Sequence, residues 1–297
     1  MAVIKSSRAA AAKPVAVAKA VKAPPLMVEL PLEPTEVSND LDDFRMLMHG
    51  EKKIGKTTLA AQQEGVFVLE FDPERRGLRM LQRHINSWPM AMAYLKALEE
   101  AAKKGKLPYV RVVIDGVDRW YRMCQAWVCT KLAISHPSEE SWGKAWDLLR
   151  TTFTNAVDRF MALPCGVWFI CHSNWKEVET RSGKIEKLIP TMPATAEEIV
   201  NSKVDAWFAY DYVNERRVLI VVGDDRTGAG HSIEGHFLTP AGDRVREIDM
   251  GTSPAEAWKN FLAAFHNQQT YTRIEDLDNR PVSATVPARR ITIAKKR

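Results

Sequence analysis

Eight consecutive residues, Gly50-Glu51-Lys52-Lys53-Ile54-Gly55-Lys56-Thr57, constrain this chain more than any other feature. They fit the pattern GxxxxGK[ST] without a mismatch and stand between an apolar run, Phe44–Met48, and a stretch of helix formers, Lys56–Gln63. The pattern has physical content. Gly50 and Gly55 let the backbone turn where a Cβ would clash. The N–H groups of such a loop converge on an anion, and the helix that opens near Lys56 presents its positive end to the same point. Lys56 is expected to reach β- and γ-phosphates, and the Thr57 hydroxyl to take a position on Mg²⁺. Gly50 through Thr57, with Thr58 one step into the helix, are therefore the candidate contacts of a bound nucleotide, with Mg-ATP as the expected ligand.

A phosphate loop of this kind needs an apolar strand before it and a sheet around it. Short apolar runs do recur: Val66–Leu69, Val110–Ile114, Val167–Cys171, Val204–Tyr210 and Arg217–Val222. Helical stretches at 90–104, 117–133 and 143–162 separate the earlier ones, and 254–266 carries a last amphipathic pattern with Pro254 in its first turn. Strands apolar on both faces and separated by helices predict an α/β fold, with a mainly parallel central sheet flanked by helices. The later strands, with fewer helices between them, predict antiparallel additions. The expected organisation is a basic tail over 1–40, a core over 41–250, a C-terminal helix packed on the core over 251–274, and a second basic tail over 275–297.

Three strand ends are polar. Val110–Ile114 runs into Asp115, an acid placed to hold the water shell of Mg²⁺. Val66–Leu69 runs into Glu70-Phe71-Asp72-Pro73-Glu74. Hydrolysis needs a group that orients the attacking water, and Asp72 and Glu74 both stand as candidates. Val167–Cys171 runs into His172, at the end of a strand where an open α/β sheet binds its ligands. His172 is expected to touch the γ-phosphate or its water. Lys56, Asp72, Glu74, Asp115 and His172 thus form the candidate catalytic set.

The net charge of +5 conceals an uneven distribution. Residues 1–25 and 281–297 hold five basic residues each and no acid, and these ten taken from 42 leave 32 basic against 37 acidic residues between them. Basic tails on an acidic core suit a polyanion such as nucleic acid. The four cysteines have neither CxxC nor zinc spacing and read as buried thiols in a reducing cytoplasm. No apolar run approaches the roughly 20 residues that span a bilayer, and no signal-peptide core is present, so no membrane partner is expected.

The segments LMHGEKKIGKTTLAA, VFVLEFDPERRGL, VRVVIDGVDRW and GVWFICHSNWKE, followed by KVDAWFAYDY, resemble in order and spacing the RecA-like ATPases. The closest likeness is to small phage-encoded ATP-binding proteins of single-strand annealing and recombination, over roughly residues 44–222. The resemblance implies that the strand after the phosphate loop ends in the catalytic acid, which fits Asp72 or Glu74. It also implies that the polar residue at His172 senses the γ-phosphate and begins a DNA-contacting loop, here Ser173–Pro190. Further implications are a homo-oligomer, in which Arg226 is a candidate to act across an interface, and a single-strand-binding or replication protein as partner. Trp88 and Trp175 are expected in loops, free to stack on bases, and the other tryptophans in the core or an interface.

The expectation is a DNA-stimulated ATPase acting on single-stranded DNA in phage or mobile-element recombination, repair or replication. Alternatives are an ATP-dependent helicase loader or remodeller with a protein partner and, lower, a small-molecule kinase.

Overall fold

The computed structural model describes residues 30, 32–72, 77–180 and 183–278. The chain divides between Glu36 and Val37, and the features below all belong to the unit that starts at Val37.

Its elements, in chain order, are β1 (Arg45–Gly50), α1 (Lys56–Ala60), β2 (Val66–Glu70), β3 (Leu81–His84), α2 (Trp88–Lys103), β4 (Arg111–Asp115), α3 (Val117–Leu132) and α4 (Lys144–Met161). There follow β5 (Gly166–Thr180), β6 (Gly183–Pro190), α5 (Ala194–Asn201), β7 (Ala206–Val213), β8 (Arg216–Ile220), β9 (Gly230–His231), β10 (Glu247–Asp249) and α6 (Pro254–Phe265). Strands β3, β2, β4, β5, β1 and β7 lie side by side in that order, all parallel. The late strands β8 and β10 extend the sheet antiparallel beyond β7. This is the mainly parallel, helix-flanked sheet with late antiparallel strands that the sequence pattern predicts.

The two faces of the sheet follow from the two-residue period of a strand. Leu47, Phe67, Leu69, Val112, Ile114, Val167 and Phe169 point to one side and pack under α2, α3, α4 and α5. Met46, Met48, Val66, Val68, Val113, Trp168 and Ile170 point to the other, where α1 and α6 cover them. Strands buried on both faces have to be largely apolar, which is why β1, β2 and β4 are legible as apolar runs. All four cysteines are buried free thiols, and burial pushes Cys124 up to about 12 and Cys165 to about 11. Among the described residues, no helix is long and apolar enough to cross a membrane.

Arg111 breaks the apolar pattern of β4 and is fully buried. Its guanidinium lies over the Trp168 ring at 4.0 Å and near Trp258 at 5.3 Å. Nε and Nη2 both reach Asp42 Oδ1, at 2.8 and 2.7 Å. Gln63 closes the network, accepting from Arg111 Nη2 and donating to Asp42 Oδ2, each at 2.9 Å. Asp42 sits in a short 3₁₀ turn, Leu41–Asp43, just before β1. One buried ion pair therefore ties the entry of the core to its central strands.

Several expectations are corrected. The strand at Val167–Cys171 does not end at His172. It continues to Thr180, and the expected loop Ser173–Pro190 is a β-hairpin, paired from Ser173↔Pro190 to Thr180↔Gly183. Backbone ladders need no apolar side chains, so a solvated hairpin gives no hydrophobic signal. Trp88, expected in a loop, opens α2 and is 4% exposed, stacked on Trp120. Pro89 in the first turn starts that helix before the run of strong helix formers. Trp142, expected in the core or an interface, is 94% exposed and so lies outside the core. Strand β3 and helix α5 were not anticipated, because β3 is four mostly polar residues at the sheet's edge and α5 is only two turns long.

Candidate active site

Parallel pairing brings the carboxyl ends of the central strands to one level. Gly50 at the end of β1 is in register with His172 on β5, and Glu70 at the end of β2 with Asp115 at the end of β4. Because β5 lies between β1 and β4, His172 falls between the phosphate loop and Asp115.

The loop is held by its own sequence. Ile54 is buried in the core beneath it. Gly50 has no room for a side chain, since a Cβ there would lie 2.2 Å from the Tyr210 carbonyl oxygen on β7. Gly55 takes a φ of 119°, in the left-handed region, and no side chain caps α1 behind it. Lys56 is 5% exposed and its Nζ donates to the carbonyls of Gly50 and Glu51, both at 2.7 Å. Thr57 Oγ1 donates to Asp115 Oδ2 at 2.5 Å, a short bond to a carboxylate that is itself 2% exposed.

Above these groups opens a cleft of about 390 Å³. Lys52, Lys53, Gly55, Lys56, Thr57 and Thr58 of the loop and helix line it together with Asp72, Arg119 and His172. Asp72 Oδ2 accepts from His172 Nε2 at 3.2 Å, and Asp72 Oδ1 meets Arg119 Nε at 2.6 Å. The structure thus brings Lys56, Asp72, Asp115 and His172 together. Glu74 lies outside the described residues. Glu70 is fully buried at the strand end and does not line the cleft.

The donor chemistry fits a magnesium polyphosphate. Three lysines and an arginine supply cationic donors, and the bonded Thr57–Asp115 pair supplies two oxygen ligands. Among the described residues no group of three His, Cys, Asp or Glu forms a metal cage. Mg²⁺ does not need one, since it is commonly held by one or two carboxylates together with substrate phosphates and water.

A family described as an AAA domain matches residues 42–245. The chain belongs to that family. The matched stretch spans the phosphate loop, Asp72, Asp115 and His172, so the core is an AAA-type P-loop ATPase domain. A crystal structure of a KaiC-like protein from the hyperthermophilic archaeon Pyrococcus horikoshii is similar over 72% of this chain and 87% of that one, at 13% identity and a TM-score of 0.38. No curated protein matches.

Two residues of the AAA domain escape sequence inspection. Arg119 is one; its only signal is its place four residues after Asp115, in the first turn of α3. His49 is the other. It is fully buried immediately before Gly50, and its Nε2 donates to the Gly228 carbonyl at 2.7 Å. That fixes the tautomer, so Nδ1 accepts from Ser173 Oγ, also at 2.7 Å. Burial lowers His49 to about 4, against the pull of the Gly228 carbonyl and with a further push from Lys56. A neutral His49 therefore joins the start of the phosphate loop to the root of the hairpin and to the turn that holds Arg226. That turn is pinned to the hairpin in its own right, with Leu188 N–H donating to Arg226 O at 2.7 Å and Gly228 N–H to Leu188 O at 3.0 Å.

Proposed function

We propose that this AAA domain binds and hydrolyses Mg-ATP in the cleft and couples nucleotide state to single-stranded DNA held by the β5–β6 hairpin. The observation that carries the coupling is the continuity of β5. His172 lines the cleft, and Trp175, three residues along the same strand, is 54% exposed on the hairpin.

In this reading Lys56 exchanges its two loop carbonyls for phosphate oxygens, and the loop N–H groups hold the rest of the chain of phosphates. Thr57 and Asp115 hold Mg²⁺, which supplies charge neutralisation. Asp72 orients water, whose oxygen bonds to the γ-phosphorus as the bond to the β–γ bridging oxygen breaks, giving ADP and inorganic phosphate. Asp72 takes this role here as the described acid that lines the cleft. Its bond to His172 links that acid to β5.

Trp175 and Lys184 of the hairpin and Arg226 of the turn pinned to it border a groove of about 500 Å³. An indole for base stacking beside two cations for phosphates is the composition of a single-strand site. Glu186 on the same groove and the Lys184–Glu177 pair limit its positive charge, so the basic tails are assigned a share of the binding. A homo-oligomer acting in phage or mobile-element recombination, repair or replication, in the cytoplasm and beside a single-strand-binding protein, completes the proposal.

The test is a titration of labelled single-stranded DNA with the full chain, with and without a non-hydrolysable ATP analogue, at two salt concentrations. Trp175→Ala should weaken binding roughly 5- to 150-fold, the worth of one stacked base, and raising salt should weaken both proteins. Binding indifferent to the analogue, to salt and to Trp175 contradicts the DNA assignment. A protein partner is the second reading, favoured by Trp142, which stands almost fully exposed at a φ of 62°. ATP turnover that ignores DNA but responds to a replication protein supports it instead.

A further inference from the structure

We propose that Arg119 is the cation through which this domain distinguishes a triphosphate from a diphosphate, and that Asp72 holds it in reserve until the triphosphate arrives. The inference rests on the nucleotide assignment above and assigns a residue that the assignment does not use.

Arg119 is not a chance surface arginine. It projects from the first turn of α3, the helix that begins two residues after Asp115. It lines the same cleft as Asp72, His172, Lys56 and Thr57. Its Nε sits 2.6 Å from Asp72 Oδ1, while His172 donates to the other oxygen of that carboxylate. The group meant to orient water is thus ion-paired to a cation within reach of the phosphates. An ion-paired carboxylate is a weaker proton acceptor than the same carboxylate with the cation removed.

Magnitudes favour an exchange. The Arg119 side chain is 47% exposed and that of Asp72 10%, so water screens the pair from the arginine's side and leaves the guanidinium free to swing away. A guanidinium meets phosphate oxygens bidentately, through charge-assisted bonds stronger than an exposed ion pair. A terminal phosphate in the cleft therefore draws Arg119 off Asp72. The same movement brings a positive charge to the γ-phosphate and takes one cationic partner away from Asp72. A diphosphate, whose charge lies back against Lys56 and the loop, leaves the Arg119–Asp72 pair in place. The arginine thereby ties activation of the acid to the presence of a γ-phosphate.

The experiment compares the affinities of ADP and of a non-hydrolysable ATP analogue, each with Mg²⁺, using fluorescent nucleotides and the full chain. In Arg119→Ala the analogue should bind on the order of tenfold more weakly, the worth of one charge-assisted contact, with ADP affinity unchanged. Arg119→Lys should recover part of the preference. Asp72→Asn holds Arg119 by a neutral hydrogen bond at most, so it should bind the analogue severalfold more tightly than wild type, and combination with Arg119→Ala should abolish that gain. A role for Arg119 confined to holding Asp72 in place predicts equal effects on both nucleotides. Retention of the full ATP-analogue preference in Arg119→Ala, or an equal loss for both ligands, overturns the inference while leaving nucleotide binding intact. Failure of the wild-type protein to bind either nucleotide overturns the nucleotide assignment itself, and this inference with it.

Discussion

Replacing Asp42 by alanine is expected to destabilise the fold by roughly 3–5 kcal/mol, the usual result of stranding one partner of a buried ion pair. Arg111 has no water to fall back on. It is closed in by Trp168, Trp258 and the carbonyl of Ala60. Burial already pulls its guanidinium down from the usual range, and Asp42 is the main force restoring it. Arg111→Met is expected to do less damage, because Asp42 retains 13% exposure and its bond to Gln63, and because methionine fills the space between the indoles. The double variant should lie near Arg111→Met, well short of the sum. Urea unfolding measures all three. An Asp42→Ala protein within about 1 kcal/mol of wild type, the range of an exposed pair, contradicts this account of the buried network.

The second large effect is a loss of stability in mild acid, governed by His49. Unfolded, its imidazole takes a proton at the ordinary 6.5; folded, it resists until about 4. Between those values the unfolded chain binds more protons than the native one, so stability falls as pH falls. The contribution is complete above about pH 6.5 and fully lost near pH 4, and amounts to about 3 kcal/mol at 1.36 kcal/mol per unit of pKa. His49→Gln retains a donor for the Gly228 carbonyl and an acceptor for Ser173 but cannot titrate. Unfolding free energies measured from pH 7 to pH 4 should therefore fall less steeply in the variant. Parallel curves would exclude His49 as the source. The same protonation reverses the bond between His49 Nδ1 and Ser173 Oγ and sets a buried positive charge near Lys56, so nucleotide and DNA binding should weaken together in this range.

How much of this was legible depended on range. The loop Gly50–Thr57 and the strand into Asp115 are local patterns, and the structure puts the Thr57 hydroxyl on the Asp115 carboxylate. Strands buried on both faces announced themselves by composition. The hairpin did not, because Asn174–Glu179 faces water and owes its form to pairing with β6. Arg111 was visible as an anomaly in an apolar run, yet nothing in the sequence pointed to Asp42, 69 residues earlier. Arg119 and His49 were hidden for the same reason. Their partners, Asp72, Gly228 and Ser173, come from other elements, and only the sheet order brings them together.

The central claim, that the phosphate loop serves ATP chemistry, is tested most directly by Mg²⁺-dependent ATP turnover of the wild-type chain and of Lys56→Ala, with circular dichroism as the control for folding. Turnover is expected in the wild type, with a fall of at least about 10²–10³-fold in the variant, the scale set by removing one charge-stabilising donor, and with the fold intact. Equal turnover in two equally folded proteins would contradict it.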